Sequence, residues 1–149
     1  MENQAEIHYS AAGVSVLTDG VRAASFYDEG HWAGIEGDDL SVVIDLQKSQ
    51  NIRQVGIGLL TDQESWIFLP QKIEVSFSHD GVHFNLLEEK ELGTPVQHTG
   101  KKIEDVNLNF EKASGRFVRI IARNIGTCPK WHYGNGGPAW VFADEIWVK

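Results

Sequence analysis

Three segments of the chain combine aromatic rings with hydroxyl, amide and carboxylate groups, which is the mixture that a sugar-binding site needs. They are residues 25–34, 61–70 and 126–140, and together they hold four of the five tryptophans. A pyranose ring has an apolar C–H face that stacks on an aromatic ring, and hydroxyl groups that need fixed hydrogen-bonding partners. The sequence therefore predicts a carbohydrate site built from these loops.

The candidate residues for this site fall into two groups by chemistry. Residues that can stack on or cover a sugar ring are Tyr27, Trp66, Trp131 and His132, and residues that can bond its hydroxyls are Asp28, His31, Asp62, Gln63, Glu64 and Asn135. The alternative is that the tryptophans plug one end of the fold as core. We expect that for Trp32 and Trp140, which adjoin strand-like segments, whereas both interpretations remain open for Trp66 and Trp131.

Groups that could catalyse a reaction are poorly arranged for it. The adjacent acidic pairs include Asp144 and Glu145, and neighbours in a strand point to opposite faces. Glycosidase carboxylates must flank one bond at roughly 5–10 Å from each other. Cys128 has no second cysteine to pair with, and no histidine has zinc-ligand spacing. We expect a small buried thiol and no intrinsic catalysis.

The glycine-rich run at residues 134–137 does not predict a phosphate-binding site. Pro138 and a strand follow it, so no helix N-terminus is available to hold an anion. We expect these glycines to let the last loop bend back across the end of the fold.

The elements that must position these loops are strands, because apolar residues recur with a period of two. The alternating segments are residues 40–46, 52–59, 73–77, 82–86 and 106–110. Residues 117–122 form a continuous apolar strand that contains Arg119, and a last apolar segment at 140–148 closes the chain. Asp80 and Gly81 form the strongest short hairpin signal. No segment predicts a helix longer than a turn or two. The sequence predicts one all-β domain over residues 1–149, an antiparallel β-sandwich.

Composition excludes several classes of partner. The chain has 149 residues, with 13 basic and 21 acidic side chains and a net charge of −8. A nucleic-acid surface needs clustered Lys and Arg, so we expect none here. No apolar run approaches the ~20 residues of a membrane span, and we expect no membrane partner. The first six residues are polar and acidic, so we expect no signal peptide in this chain. We therefore expect the chain to be either a cytoplasmic protein or a domain of a longer secreted parent.

A family resemblance extends from about Gly13 to Val148. It is carried, in this order, by residues 17–20 (LTDG), Trp32, residues 43–46 (VIDL), 74–84 (EVSFSHDGVHF), 116–120 (RFVRI) and 144–146 (DEI). The chain resembles a coagulation factor 5/8 type C, or discoidin-like, domain. Residues 62–70 (DQESWIFLP) and 128–132 (CPKWH) resemble the C-terminal module of bacterial family 20 glycoside hydrolases, the β-N-acetylhexosaminidases or chitobiases.

The resemblance implies a galactose-binding-domain-like jelly roll of about eight strands, related to carbohydrate-binding module family 32. It implies a domain from the C-terminus of a larger glycosidase, which is secreted, periplasmic or on the cell surface, with catalysis in a separate barrel. It also implies one structural Ca²⁺, held by the carboxylates of Asp19 and Glu145 with carbonyls near Leu17, Arg22 and Ser25. The alternative is that Asp19 caps a turn and Glu145 pairs with an arginine.

Two functions follow as expectations. The first is a non-catalytic accessory module that binds a terminal hexose or N-acetylhexosamine through its aromatic loops. The second is a structural domain that packs on the catalytic domain of its parent and binds no sugar of its own.

Overall fold

The computed structural model describes residues 33–149, which form six strands. These are β1 (Ala33–Glu36), β2 (Leu40–Asp62), β3 (Lys72–Ser78), β4 (Asn85–Glu91), β5 (Lys101–Arg123) and β6 (Trp140–Val148). The only helical element in this part of the chain is a 3₁₀ turn at Gln63–Ser65. Within residues 33–149, no helix is long and apolar enough to cross a membrane.

All strand pairs are antiparallel, and the sheet order is β1-β6-β2-β5-β3-β4. The first half of β2 pairs with the second half of β5, and β3 and β4 continue that layer. The second half of β2 pairs with the first half of β5, and β6 and β1 continue the other layer. Within residues 33–149, each layer thus contains four strand segments, and the predicted antiparallel sandwich is confirmed.

One hydrophobic core lies between the two layers. Val42 and Val118 of the first layer belong to the same buried cluster as Val55 and Ile57 of the second. Alternate residues of a strand point to one face, and β-branched side chains pack well on a pleated surface. The apolar residues that recur with a period of two in the sequence therefore fill this core.

Strand boundaries differ from those that the sequence predicts. Residues 40–46 and 52–59 lie on one strand, β2, and residues 106–110 and 117–122 lie on β5. The pairing is irregular between Asp45 and Gln50, where Gln47 adopts a φ of 74°. The irregularity redirects the strand from one layer to the other, so the polar residues between two apolar runs form a bend rather than a loop.

The predicted hairpin joins β3 to β4, although its connection is longer than a two-residue turn. Asp80 accepts hydrogen bonds from the N–H groups of Val82 and His83, both at 2.8 Å, and Gly81 has a φ of 77°. These bonds hold residues 79–84 outside the ladder. Val82 is consequently exposed rather than part of a strand.

The register of the strands brings three loops to one end of the sandwich, which we call the loop end. Asp62 lies opposite Lys101, and Lys72 lies opposite both Arg123 and Glu91. Residues 63–71, 92–100 and 124–139 therefore all leave the sheet at this end, where they can build a common site.

Candidate functional site

Trp66 supports the last loop from beneath. It ends the 3₁₀ turn with a φ of 67°, and its indole is half-buried. A Cβ added to Gly134 would lie 2.7 Å from this ring, and one added to Gly137 would lie 2.5 Å from it. Only glycines can approach the indole so closely. The glycine-rich run thus lets residues 131–137 close over Trp66.

His132 fixes the next part of the loop and is 7% exposed. Its Nδ1 accepts a hydrogen bond from the N–H of Gly134 at 2.9 Å, so the proton lies on Nε2. Nε2 donates that proton to the carbonyl oxygen of Gln63 at 2.6 Å. The ring also stacks on Tyr133 with centroids 4.4 Å apart. The histidine therefore ties the last loop to the 3₁₀ turn.

Gln63 connects the same turn to the loop at residues 92–100. Its amide Nε2 donates to the carbonyl oxygen of Val96 at 2.9 Å, and its Oε1 accepts the N–H of His98 at 2.9 Å. The side chain is 7% exposed and joins residues 35 positions apart. Both ends of this amide are used within the protein, so Gln63 positions the loops.

Two aromatic rings remain accessible above this framework. Trp131 is 41% exposed and Tyr133 is 73% exposed. The edge of Trp131 contacts Phe68 with ring centroids 6.2 Å apart, and the Tyr133 hydroxyl donates to the carbonyl oxygen of Glu64. Both rings are thus held in place while part of their surface faces solvent.

A cleft of about 270 Å³ lies beside these rings. Glu64 and Tyr133 line it on the side of the 3₁₀ turn, and Gln97, His98 and Thr99 line it on the side of the loop at residues 92–100. It therefore joins aromatic surface to carboxylate, amide, imidazole and hydroxyl groups. Such a cleft can stack on an apolar ring face and bond several hydroxyls.

The base of the last loop is anchored by an ion-pair network. Arg123 contacts Asp39 at 2.9 Å and Glu74 at 2.6 Å, and these carboxylates raise the pKa of the guanidinium. Asp39 also accepts the N–H of Asn124 at 2.9 Å, and the Asn124 side chain donates to the carbonyl oxygen of Ala139 at 3.0 Å. The two ends of residues 124–139 are thereby held together.

The structure brings together some of the residues that the sequence singles out, and not others. Gln63, Glu64, Trp131 and His132 line the cleft. Asp62 is buried at the end of β2, Trp66 lies beneath the last loop, and Asn135 is exposed outside the cleft lining. Tyr27, Asp28 and His31 lie outside the described residues.

Sequence reasoning missed Tyr133 and the segment Gln97, His98 and Thr99. Tyr133 stands directly beside two residues that were singled out, so its position was a usable signal. The segment at 97–99 carried no such signal, because it is polar and has no aromatic residue. Its place at the cleft depends on hydrogen bonds to Gln63, which is distant in sequence.

The calcium prediction concerns residues that lie mostly outside the described part of the chain. Asp19, Leu17, Arg22 and Ser25 precede residue 33, whereas Glu145 lies in β6 and is 8% exposed. Among residues 33–149, no group of three His, Cys, Asp or Glu side chains could hold a metal ion. The calcium site stays a prediction.

Cys128 is a buried thiol, as the sequence predicts. It is 3% exposed and packs with Phe68 and Ala139. Burial raises the pKa of this thiol, since removal from water disfavours the thiolate. A thiolate nucleophile is therefore disfavoured at this position.

Three solved structures are similar to the chain at low sequence identity. A fucolectin from the serum of striped bass, Morone saxatilis, has a TM-score of 0.62 at 15% identity, over 98% of this chain and 44% of that one. Chitosan-binding module 1 of a chitosanase/glucanase from Paenibacillus sp. IK-5 has a TM-score of 0.59 at 17% identity, over 99% and 90%. Module CBM32-1 of a family 31 glycoside hydrolase from Clostridium perfringens has a TM-score of 0.58 at 18% identity, over 97% and 89%.

These likenesses show a shared fold of the discoidin and galactose-binding type. No curated protein sequence matches the chain significantly. The family model of the F5/8 type C domain matches residues 7–142, nearly the whole length of the chain. The resemblance that the sequence motifs carry is thus confirmed, and the chain belongs to the F5/8 type C domain family.

Proposed function

We propose that the chain is a non-catalytic carbohydrate-binding module whose site is the cleft beside Trp131 and Tyr133. The observation that carries the proposal is the pair of exposed, rigidly held rings next to convergent polar groups. The chitosan-binding module from Paenibacillus shares the fold, which makes a saccharide a reasonable ligand for such a cleft. The ligand is a hexose or N-acetylhexosamine unit.

The chemistry of the cleft suits a pyranose. The indole of Trp131 offers apolar aromatic surface for the C–H face of the sugar. The carboxylate of Glu64 accepts hydrogen bonds from hydroxyls, and the Thr99 hydroxyl both donates and accepts. A single ring offers few contacts, so we expect a dissociation constant on the order of 10⁻⁴ to 10⁻³ M.

The parent that we propose is a secreted glycosidase of the β-N-acetylhexosaminidase type. The proposal rests on the resemblance of residues 62–70 and 128–132 to modules of those enzymes. These two segments meet at Trp66 and His132, whose ring centroids are 6.1 Å apart. A weak module on such an enzyme raises the effective concentration of the catalytic domain on a polymeric substrate.

We propose in addition that Glu145 contributes to a calcium site with residues before position 33. A carboxylate that is 8% exposed suits either a hard cation or an ion pair. Thermal unfolding with calcium and with chelator distinguishes a calcium site at Glu145 from an ion pair. Calcium should raise the Tm of the wild type and not that of Glu145→Gln, and an equal Tm in calcium and chelator would contradict the proposal.

Packing against a neighbouring domain is the second candidate function. Trp131, Tyr133 and Val96 are all exposed at the loop end, and Val96 is 80% exposed. An exposed apolar patch of this kind can mark an interface between domains. An interface would give no binding of free glycans, which distinguishes it from the sugar site.

A glycan array probed with the 149-residue chain tests the proposal. The array carries chitin-derived and mucin-type glycans and is run with and without chelator. Trp131→Ala and Tyr133→Ala should lose binding, while Val82→Ala, an exposed apolar residue of the β3–β4 hairpin, should keep it. Equal retention by all three variants, or no glycan bound by the wild type, would reject the proposed site.

A further inference from the structure

A second cleft also borders Trp131, and its other lining residues differ from those of the cleft described above. It has a volume of about 590 Å³, against about 270 Å³ for the first. Its walls include Gln71, Glu91, Thr94 and Thr127, and Trp131 lines it as well. Trp131 is therefore the residue that the two clefts at the loop end have in common.

The two clefts are also related through the loop at residues 92–100. A third cavity of about 260 Å³ shares Gln97 and His98 with the first cleft and Thr94 and Pro95 with the second. One loop therefore forms a wall of all three cavities. Gln63 holds this wall at Val96 and His98.

Trp131 is positioned to serve both sides. Its ring packs edge-on against Phe68 at 6.2 Å and His132 at 6.1 Å between centroids, with interplanar angles of 66° and 74°. These buried neighbours hold the indole in place, and 41% of the residue remains exposed. A ring held in this way can contact a sugar unit on either side.

Resting on the proposed function, we propose that the loop end binds an oligosaccharide across Trp131, with sugar units in both clefts. The second cleft supplies polar partners for a further unit through the hydroxyls of Thr94 and Thr127 and the carboxylate of Glu91. A ligand confined to a terminal sugar would use the smaller cleft alone and leave the larger one unused.

The charge of the two clefts selects the class of oligosaccharide. Each cleft has one carboxylate, Glu64 in the first and Glu91 in the second, and neither is lined by Lys or Arg among the described residues. Lys72 lies 4.0 Å from Glu91 but closer to Glu74 and Glu89, at 3.4 and 3.5 Å, so it offsets the charge of Glu91 only weakly. A uronate chain would place like charges together, so the groove favours neutral or amino-sugar chains.

Calorimetric titration with a chain-length series tests the groove. The probes are N-acetylglucosamine and its β-1,4-linked oligomers of two to four units, with glucosamine and uronate oligomers of equal length. If the protein binds only one sugar unit, a longer oligomer gains affinity only because each of its units can occupy the site. That statistical gain is about threefold for a trimer. We expect a gain of about tenfold or more from monomer to trimer, and weaker binding of the uronate series.

Two exposed threonines of one loop provide matched variants. Thr94→Trp fills the second cleft and Thr99→Trp fills the first. Thr94→Trp should keep the monosaccharide affinity and lose the gain with chain length, whereas Thr99→Trp should weaken every member of the series.

The outcomes separate this inference from the function on which it rests. A gain of no more than about threefold from monomer to trimer, or a larger chain-length gain that survives Thr94→Trp, would overturn the groove and leave the sugar site intact. Uronate oligomers that bind as well as N-acetylglucosamine oligomers would overturn its charge selection. Failure of all the sugars to bind would overturn the proposed function together with the groove.

Discussion

Replacement of Gln63 by leucine should loosen one wall of the cleft and leave the other in place. The side chain makes two hydrogen bonds to the loop at residues 92–100, one to Val96 and one to His98. At about 0.5–1.5 kcal/mol for each bond, Gln63→Leu removes about 1–3 kcal/mol of local stabilisation. Leucine keeps most of the buried volume, so little of the loss comes from a cavity.

Amide hydrogen exchange measures this effect at the residue concerned. A loss of about 1–3 kcal/mol corresponds to exchange of the His98 amide that is about fivefold to hundredfold faster. The bond from His132 to Gln63 uses the backbone carbonyl, which leucine retains. The Gly134 amide, which donates to His132, should therefore keep its protection.

Gln97→Ala is the matched control, since it truncates an exposed amide on the same loop. It should leave the exchange of the His98 amide unchanged. Unaltered protection of that amide in Gln63→Leu would refute the role of Gln63, and equal loss of protection at Gly134 would show general destabilisation instead.

Two further predictions concern the loop end and the bend in β2. Gly134→Ala places a Cβ 2.7 Å from the Trp66 ring and should lower the free energy of chemical unfolding by about 1–3 kcal/mol. Gly136→Asn is the control and should lower it less, because Gly136 has a φ of 82°, which asparagine tolerates, and open space around it. Equal losses of unfolding free energy in the two variants would contradict this packing. The Arg116 guanidinium lowers the pKa of Asp45 to about 2. Because the folded state favours the carboxylate, this pair stabilises the fold above about pH 4 and loses its effect as the pH falls towards 2. The difference in unfolding free energy between wild type and Asp45→Asn should shrink over that range, and a constant difference would contradict it.

The strands were predictable because their signal is local. Alternation of apolar residues fixes which face of a strand is buried, and the core residues Val55 and Ile57 follow from it. The continuous apolar run at 117–122 predicted a strand without its buried face, which Val118 and Ile120 occupy. The bend near Gln47 was not predictable in the same way. It depends on the partner strand, where the register shifts, and a single strand does not carry that information.

Two of the family motifs, residues 74–84 (EVSFSHDGVHF) and residues 116–120 (RFVRI), pack on each other. Arg119 of the RFVRI segment lies over the ring of Phe84 at 4.5 Å. A Cβ on Gly81 would lie 3.2 Å from the ring of Phe117. The hairpin and the strand therefore constrain each other's residues at these two contacts.

The loops of the candidate site were predictable by composition and their geometry was not. The sequence alone did not distinguish Trp66 from Trp131 as a sugar-binding or a core residue, because both lie in aromatic loops. Their different exposure arises from Gly134 and Gly137, which allow the last loop to cover Trp66. The wall at residues 97–99 depends on the distant side chain of Gln63. Such contacts appear only once the chain has folded.

The most direct test of the account follows the indole N–H signals of the chain by NMR during titration with N-acetylglucosamine oligomers. Trp131 should show a saturable shift because it lies at the ligand. Trp147 lies away from the loop end, and its indole N–H donates to the side-chain oxygen of Asn107 at 2.9 Å. Its signal serves as an internal reference and should not shift. Saturable movement of the Trp131 signal alone is the predicted result. A Trp131 signal that does not move while the oligomer binds, or moves no more than that of Trp147, would contradict the central claim.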